Sequence, residues 1–174
     1  MIALLLLPFL LSVQTASKSN AAAPDPSQQP ATGAQQEEAP AAQRADLELE
    51  IKHVLVSQVD AWNHGKLDGF MQGYWRSPDL TFFSGPTVTK GWEPTLLRYR
   101  QRYQAEGKEM GKLEFQELSI DLLSKTSAVV TGKWQLTMST GKTSDGKQPH
   151  GLFTLIFKRM PGGWKIVHDH TSGD

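Results

Sequence analysis

The residues of this chain best suited to chemistry cluster in its closing segment, "GWKIVHDHTSGD", where His168 and His170 flank Asp169. On a strand, residues two apart point to one face, so the two imidazoles share a face with Cα atoms ~6–7 Å apart. Strict alternation puts Trp164 and Ile166 on that same face, and Lys165, Val167, Asp169 and Thr171 on the other. Alternation defines these two sets without saying which one turns inward. Three readings of the pair stay open. As metal ligands the histidines need a further donor, for which His53, His150, Asp60 and Glu114 are candidates, yet no second ligand motif such as H-E-x-x-H accompanies them. As a general acid or base, one of them would be tuned by a carboxylate such as Asp60. As plain hydrogen-bonding groups, they would line a pocket mouth or a subunit face. His168 and His170 are therefore the candidate catalytic residues, with Asp60 behind them; neither a metal nor a cofactor is expected.

Aromatic residues give the second signal. The chain has five tryptophans, Trp62, Trp75, Trp92, Trp134 and Trp164, joined by Tyr74, Phe82, Phe83, Tyr99 and Tyr103. Each fills a core as readily as it walls a pocket, because a fully buried large apolar side chain contributes roughly 1.5–3 kcal/mol. An aromatic wall with polar tips suits a flat or hydrophobic small molecule. Trp62, Tyr74, Trp92 and Trp134, with His168 and His170, form the candidate ligand-binding set. Lys90-Gly91-Trp92 leads into a helix whose free N–H groups suit an anion, but the glycine is explained more simply by a turn.

These residues need elements to hold them. "RADLELEIKHVLVSQVDAWNHG" places Leu47, Ile51, Leu55, Val59 and Trp62 at helical spacing, with Gly65 as the stop. "KLDGFMQGYW" gives a shorter apolar face, with Asp68 as a candidate N-cap. "LTFFSGPTVTKG" reads as two short strands around Gly85-Pro86. "WEPTLLRYRQRYQAEG" is a third helix with Pro94 in its first turn, a stripe of Leu96, Tyr99 and Tyr103, and Gly107 at its end. Arg98, Arg100 and Arg102 spread around that helix and read as a solvated face. Four long strands follow, separated by turns that include "TGKTSDGKQ" and "MPGG". Helices segregated from an antiparallel sheet make an α+β domain.

Bulk properties exclude several classes. Among 174 residues, Lys+Arg and Asp+Glu are equal at 18 each, so no electrostatic footprint for nucleic acid and no polybasic run for an anionic membrane stands out. The chain has no cysteine, which removes disulfides, thiolate metal sites and cysteine nucleophiles. "MIALLLLPFLLSV" is apolar from Ile2 to Val13, shorter than the roughly 20 residues of a membrane span, and "TAS" at Thr15–Ser17 offers small residues for cleavage. No basic residue precedes the run. Residues 1–16 are expected to be a signal peptide, so the protein is expected to be exported, periplasmic or secreted. Residues 17–43, rich in Ala, Pro and Gln, are expected to be a disordered linker, and residues 44–174 the folded domain.

"AWNHGKLDGFMQGYW", "LTFFSG", "TKGWEPTLLRYRQRY" and "GWKIVHDHTS" together resemble the DUF4440 group of SnoaL-like proteins in the nuclear transport factor 2 (NTF2)-like superfamily. The resemblance runs from about Arg44 to Ser172. It implies an NTF2-like α+β cone, in which a strongly bent antiparallel sheet wraps a long N-terminal helix beside two further helices. It also implies a pocket open at one end, which the ends of the helices carrying Trp62 and Tyr74 approach, and a homodimer formed through the outer sheet face. Activities across that superfamily differ, from isomerases, cyclases and dehydratases to a kinase association domain with a similar "VH-x-H" strand. The isomerases place an oxyanion-binding tyrosine where this chain has Gln58, and a catalytic aspartate in the segment matching "LTFFSG", where this chain has Ser84 or a neighbour and no carboxylate. Their mechanism does not carry over. The leading expectation is a homodimeric pocket domain that binds a small organic molecule. The alternatives are an isomerase, cyclase or dehydratase using His168 or His170 as base, and a non-catalytic dimerisation module.

Overall fold

A computed structural model describes residues 40–139 and 148–173, all inside one compact unit, Gln36–Asp174. The expected signal peptide, the linker up to residue 39 and residues 140–147 of the expected turn lie outside the described residues.

Helix α1 spans Ala41–Asn63. It starts ahead of the expected domain edge at Arg44, because Ala41, Ala42 and Gln43 are good helix formers and Pro40 precedes them where its missing N–H costs nothing. Leu47, Ile51, Leu55, Gln58, Ala61 and Trp62 are its buried residues. Gln58 thus takes a place in the inner stripe, and Val59 is only half-buried. Helix α2, Leu67–Met71, begins after Lys66 with no side-chain cap. Asp68 lies inside its first turn and pairs with Arg100 at 2.9 Å instead of capping. Helix α3, Trp92–Tyr103, starts after Gly91, whose φ of 94° belongs to glycine. That backbone requirement accounts for the glycine of "TKGW".

Six strands form one sheet in the order β2-β1-β6-β5-β4-β3. They are β1 Thr81–Ser84, β2 Thr87–Lys90, β3 Lys112–Ser124, β4 Ser127–Thr137, β5 His150–Met160 and β6 Gly163–Thr171. The sheet is mixed, not wholly antiparallel as expected, since β1 pairs with β6 in parallel. No tight turn links these two strands, so nothing in the connection forces them antiparallel. The remaining four pairings are antiparallel.

Three register shifts interrupt the sheet, one of them near the end of β3 between Leu122 and Ser124. In β3 the register shifts between Gln116 and Ser119, where Glu117 adopts a φ of 51°. In β6 the register shifts at Val167: Phe157 faces Ile166, whereas the adjacent Ile156 faces His168. Val167 is an extra residue, a β-bulge that displaces the alternation beyond it. The core lies between the helices and the inner face of this sheet, with Ile51, Met71, Phe157 and Ile166 fully enclosed.

Candidate functional site

The bulge in β6 decides what the closing segment presents. Trp164 and Ile166 point inward and are 2% and 0% exposed. After Val167 the inward positions become Asp169, 2% exposed, and Thr171. The expected sharing of one face by Trp164, Ile166, His168 and His170 is therefore corrected: the extra residue puts the histidines on the opposite side from Trp164 and Ile166. His168 is half-buried and His170 exposed. Both lie against Phe83, with ring centroids 5.2 and 5.7 Å from it. Burial and the neighbouring His170 hold the His168 imidazole below its usual range, so it is neutral near pH 7.

The inner set opens onto a cavity of about 330 Å³ bounded by α1, α2, α3 and the sheet. Trp62, from the end of α1, forms one wall. Its indole Nε1–H points at the carbonyls of Met110 and Gly111, 3.1 and 3.2 Å away, which fixes the ring. Asn63 anchors the same helix end to β3, donating to the Leu113 carbonyl at 3.1 Å and accepting from the Leu113 N–H at 2.7 Å. Trp62 makes edge contacts with Phe70 at 5.1 Å and Tyr103 at 4.9 Å. Tyr99 meets Phe70 and Phe82 at 5.4 and 5.5 Å. Each such aromatic pair is worth about 0.5–1.5 kcal/mol beyond its burial. Trp134 lines the opposite side and donates to the Ser172 carbonyl at 2.9 Å.

At the closed end stands Asp169. Its Oδ2 accepts from the Tyr74 hydroxyl at 2.7 Å, and its Oδ1 from the Thr171 hydroxyl at 2.6 Å. Tyr99 lies beside this pair, close enough for the Asp169 charge to act on its hydroxyl. Tyr74 is held there by the backbone, because Gly73 and Trp75 pair with Ile166 on β6 through N–H···O bonds of 2.9 Å, just before the bulge. A Cβ at Gly73 would press on the buried Gln58 side chain, which would have to move to admit it. Burial pushes the Asp169 carboxyl up from 3.8 to about 6, against the bonds from Thr171 and Tyr74 and the nearby His170. Burial and the Asp169 charge push both Tyr74 and Tyr99 well above their ordinary range, so both hydroxyls stay protonated.

Of the residues selected from sequence, the cavity brings together Trp62, Tyr74 and Trp134. Gln58 and Ser84, the positions matched to the isomerase residues, also line it. Trp92 does not: its Nε1–H donates to the Met71 carbonyl at 3.0 Å, and the Arg76 guanidinium covers its ring at 4.8 Å, so it pins α3 to α2. Neither His168 nor His170 lines the cavity. Asp60 is exposed and pairs with His64 at 3.3 Å. His53, Glu114 and His150 are exposed, and no group of three potential ligands gathers among the described residues. Sequence reasoning passed over Asp169, Tyr99 and Tyr103 as site residues. The stripe of Tyr99 and Tyr103 on α3 was the available signal for two of them.

The same architecture recurs elsewhere. An NTF2-like protein of unknown function from Shewanella oneidensis is 34% identical, with 72% of this chain and 98% of that one covered and a TM-score of 0.63. An NTF2-like superfamily protein from Salmonella enterica serovar Typhimurium, 18% identical, covers 75% of this chain and 92% of its own, with a TM-score of 0.62. An NTF2-like protein of unknown function from Pseudomonas putida, 17% identical, covers 74% and 87%, with a TM-score of 0.60. A comparison with curated proteins finds no match. The family model for the SnoaL-like domain matches residues 51–173, from the inner stripe of α1 through Asp169, and the chain belongs to that family, with the NTF2-like fold.

Proposed function

We propose that the cavity binds a small aromatic or polycyclic molecule and that Asp169 exchanges a proton with it, in the manner of an isomerase, cyclase or dehydratase. The observation that carries this reading is a buried carboxyl, raised to about 6, at the closed end of an aromatic-walled cavity. A base works best when its pKa lies near the working pH, and burial supplies that tuning here. In the proposed step, Asp169 takes a proton from a carbon beside a carbonyl. The electron pair moves onto the carbonyl oxygen, and the neutral tyrosine hydroxyls donate to the oxygen as its charge develops. Once protonated, Asp169 becomes a donor towards the Tyr74 oxygen. That frees the Tyr74 hydrogen to turn from Asp169 towards the ligand. This reading replaces His168 or His170 as the base with the residue between them.

The test uses 2-tetralone, a bicyclic ketone with acidic C–H bonds, in deuterated buffer. The protein is expected to accelerate deuterium uptake beside the carbonyl, with the rate rising through pH 6. Asp169→Asn should remove about 10²–10⁴-fold of that acceleration. Equal exchange by Asp169→Asn and the unaltered protein would refute the role given to Asp169.

The remaining features belong to the same proposal. The four sequence motifs support a placement close to the DUF4440 group. The apolar run Ile2–Val13 supports export. Exposed Leu118, Leu123 and Leu152 on β3 and β5 support a homodimer; sedimentation as a monomer at micromolar concentration would remove that part.

A further inference from the structure

The third helix separates its arginines in a way that the proton-transfer reading leaves unexplained. Arg100 is committed, with its guanidinium 2.9 and 3.0 Å from the two Asp68 carboxylate oxygens. Arg76 and Arg159 are likewise paired, with Glu93 and Glu50. Arg98 and Arg102, one turn apart on the cavity side of α3, line the cavity and have no acidic partner among the described residues. Both guanidiniums lie against aromatic rings, Arg98 at 5.9 Å from Phe82 and Arg102 at 5.4 Å from Tyr103. Cation–π contacts of this kind hold an arginine over an apolar wall while leaving its N–H fork free.

The lining is also polarised. Its charged residues are Arg98, Arg102 and Asp169. Asp169 is buried at the closed end, whereas Arg102, Gly85, Pro86, Thr87, Ser172 and Gly173 are exposed at the rim. Positive charge at the rim, rings along the middle and a carboxyl at the closed end define the ends of the occupant. We infer that Arg98 and Arg102 form a clamp for a carboxylate, and that the ligand of this cavity is a planar aromatic acid whose ring system reaches inward towards Asp169. The inference rests on the cavity being a ligand site, but not on Asp169 acting as a base. Paired guanidinium forks suit a carboxylate because its two oxygens accept parallel N–H bonds. The opposite orientation is disfavoured, since a carboxylate beside Asp169 would meet like charge in a buried setting.

The test measures binding of 2-naphthoate and its neutral isostere 2-naphthamide to the full-length protein by quenching of tryptophan fluorescence, which Trp62 and Trp134 in the cavity wall would report. The naphthoate is expected to bind about tenfold or more tightly than the amide, the scale of a charge-assisted hydrogen bond. That preference should shrink as ionic strength rises. Arg98→Gln with Arg102→Gln should abolish the preference, while Arg100→Gln should retain it. Asp169→Asn should also retain it, which separates the clamp from the proton-transfer role. Equal affinity for the two probes, or a preference that survives in the double variant, would overturn the clamp while leaving the cavity as a ligand site. Failure of both probes to bind would overturn the clamp and the ligand site together.

Discussion

The two halves of β6 are continuous in sequence and opposite in consequence. From Gly163 to Ile166 the strand sends Trp164 and Ile166 into the hydrophobic core. From Val167 to Thr171 it sends Asp169 and Thr171 into a cavity, with Asp169 as buried as Trp164. A single unpaired residue, Val167, separates the two. The first half builds the fold, and its buried side chains are large and apolar apart from the Trp164 indole N–H, which has no hydrogen-bond partner. The second half buries a group that prefers water, and that costs stability which only hydrogen bonds from Tyr74 and Thr171 partly offset. Such a cost marks the second half as a place selected for something other than stability.

This contrast can be broken at either half. Truncating the first half should have the largest effect on stability: Ile166→Ala, at a position with no exposure, is expected to cost about 2–5 kcal/mol in urea unfolding. The second half should respond to pH. Because the folded Asp169 carboxyl sits near 6 and the ordinary value is 3.8, the folded state holds that proton more tightly than the unfolded chain. Its contribution is fully present below 3.8 and is lost as pH rises through 6, a change of about 3 kcal/mol. Asp169→Asn should flatten that part of the stability profile, so the variant gains on the unaltered protein between pH 4 and pH 7. A difference that stays constant over this interval would contradict the burial account.

Smaller effects sharpen the picture. Tyr74→Phe removes a bond that lowers the Asp169 pKa, so the carboxyl should titrate at higher pH, and stability should fall by about 1 kcal/mol. The outward pair should matter least. His168→Ala and His170→Ala are expected to stay within about 0.5 kcal/mol of the parent and to retain 2-tetralone exchange, with a small upward shift of the Asp169 titration in His170→Ala. Loss of exchange in either would return the chemistry to the histidines.

Much of the fold was legible because the helices carry apolar residues at helical spacing and firm stops, even though α1 also exposes Leu49 and Val56. Gly65 ends the first helix region with a φ of 70°, and Pro94 sits in the first turn of α3 as its sequence position indicates. Trp62, Tyr74 and Trp134 were legible as wall residues through their amphipathic chemistry and, for the first two, their places at helix ends. Asp169 was not legible, because alternation depends on an unbroken register. Val167 is neither glycine nor proline, and nothing local marks it as the bulge. The parallel pairing of β1 with β6 depends on contacts between segments far apart in sequence, which no local pattern encodes. The division among the arginines was hidden for a similar reason: Arg100 differs from Arg98 and Arg102 only because Asp68, on another helix, reaches it.

The central claim is that the inward residue of "HDH" is a buried carboxyl tuned for proton exchange. Its most direct test is a carbon-13 NMR titration of the side-chain carboxyls, with the Asp169 signal assigned by its loss in Asp169→Asn. The account predicts an inflection for that signal at about 6; an inflection at the ordinary aspartate value near 3.8 would contradict it.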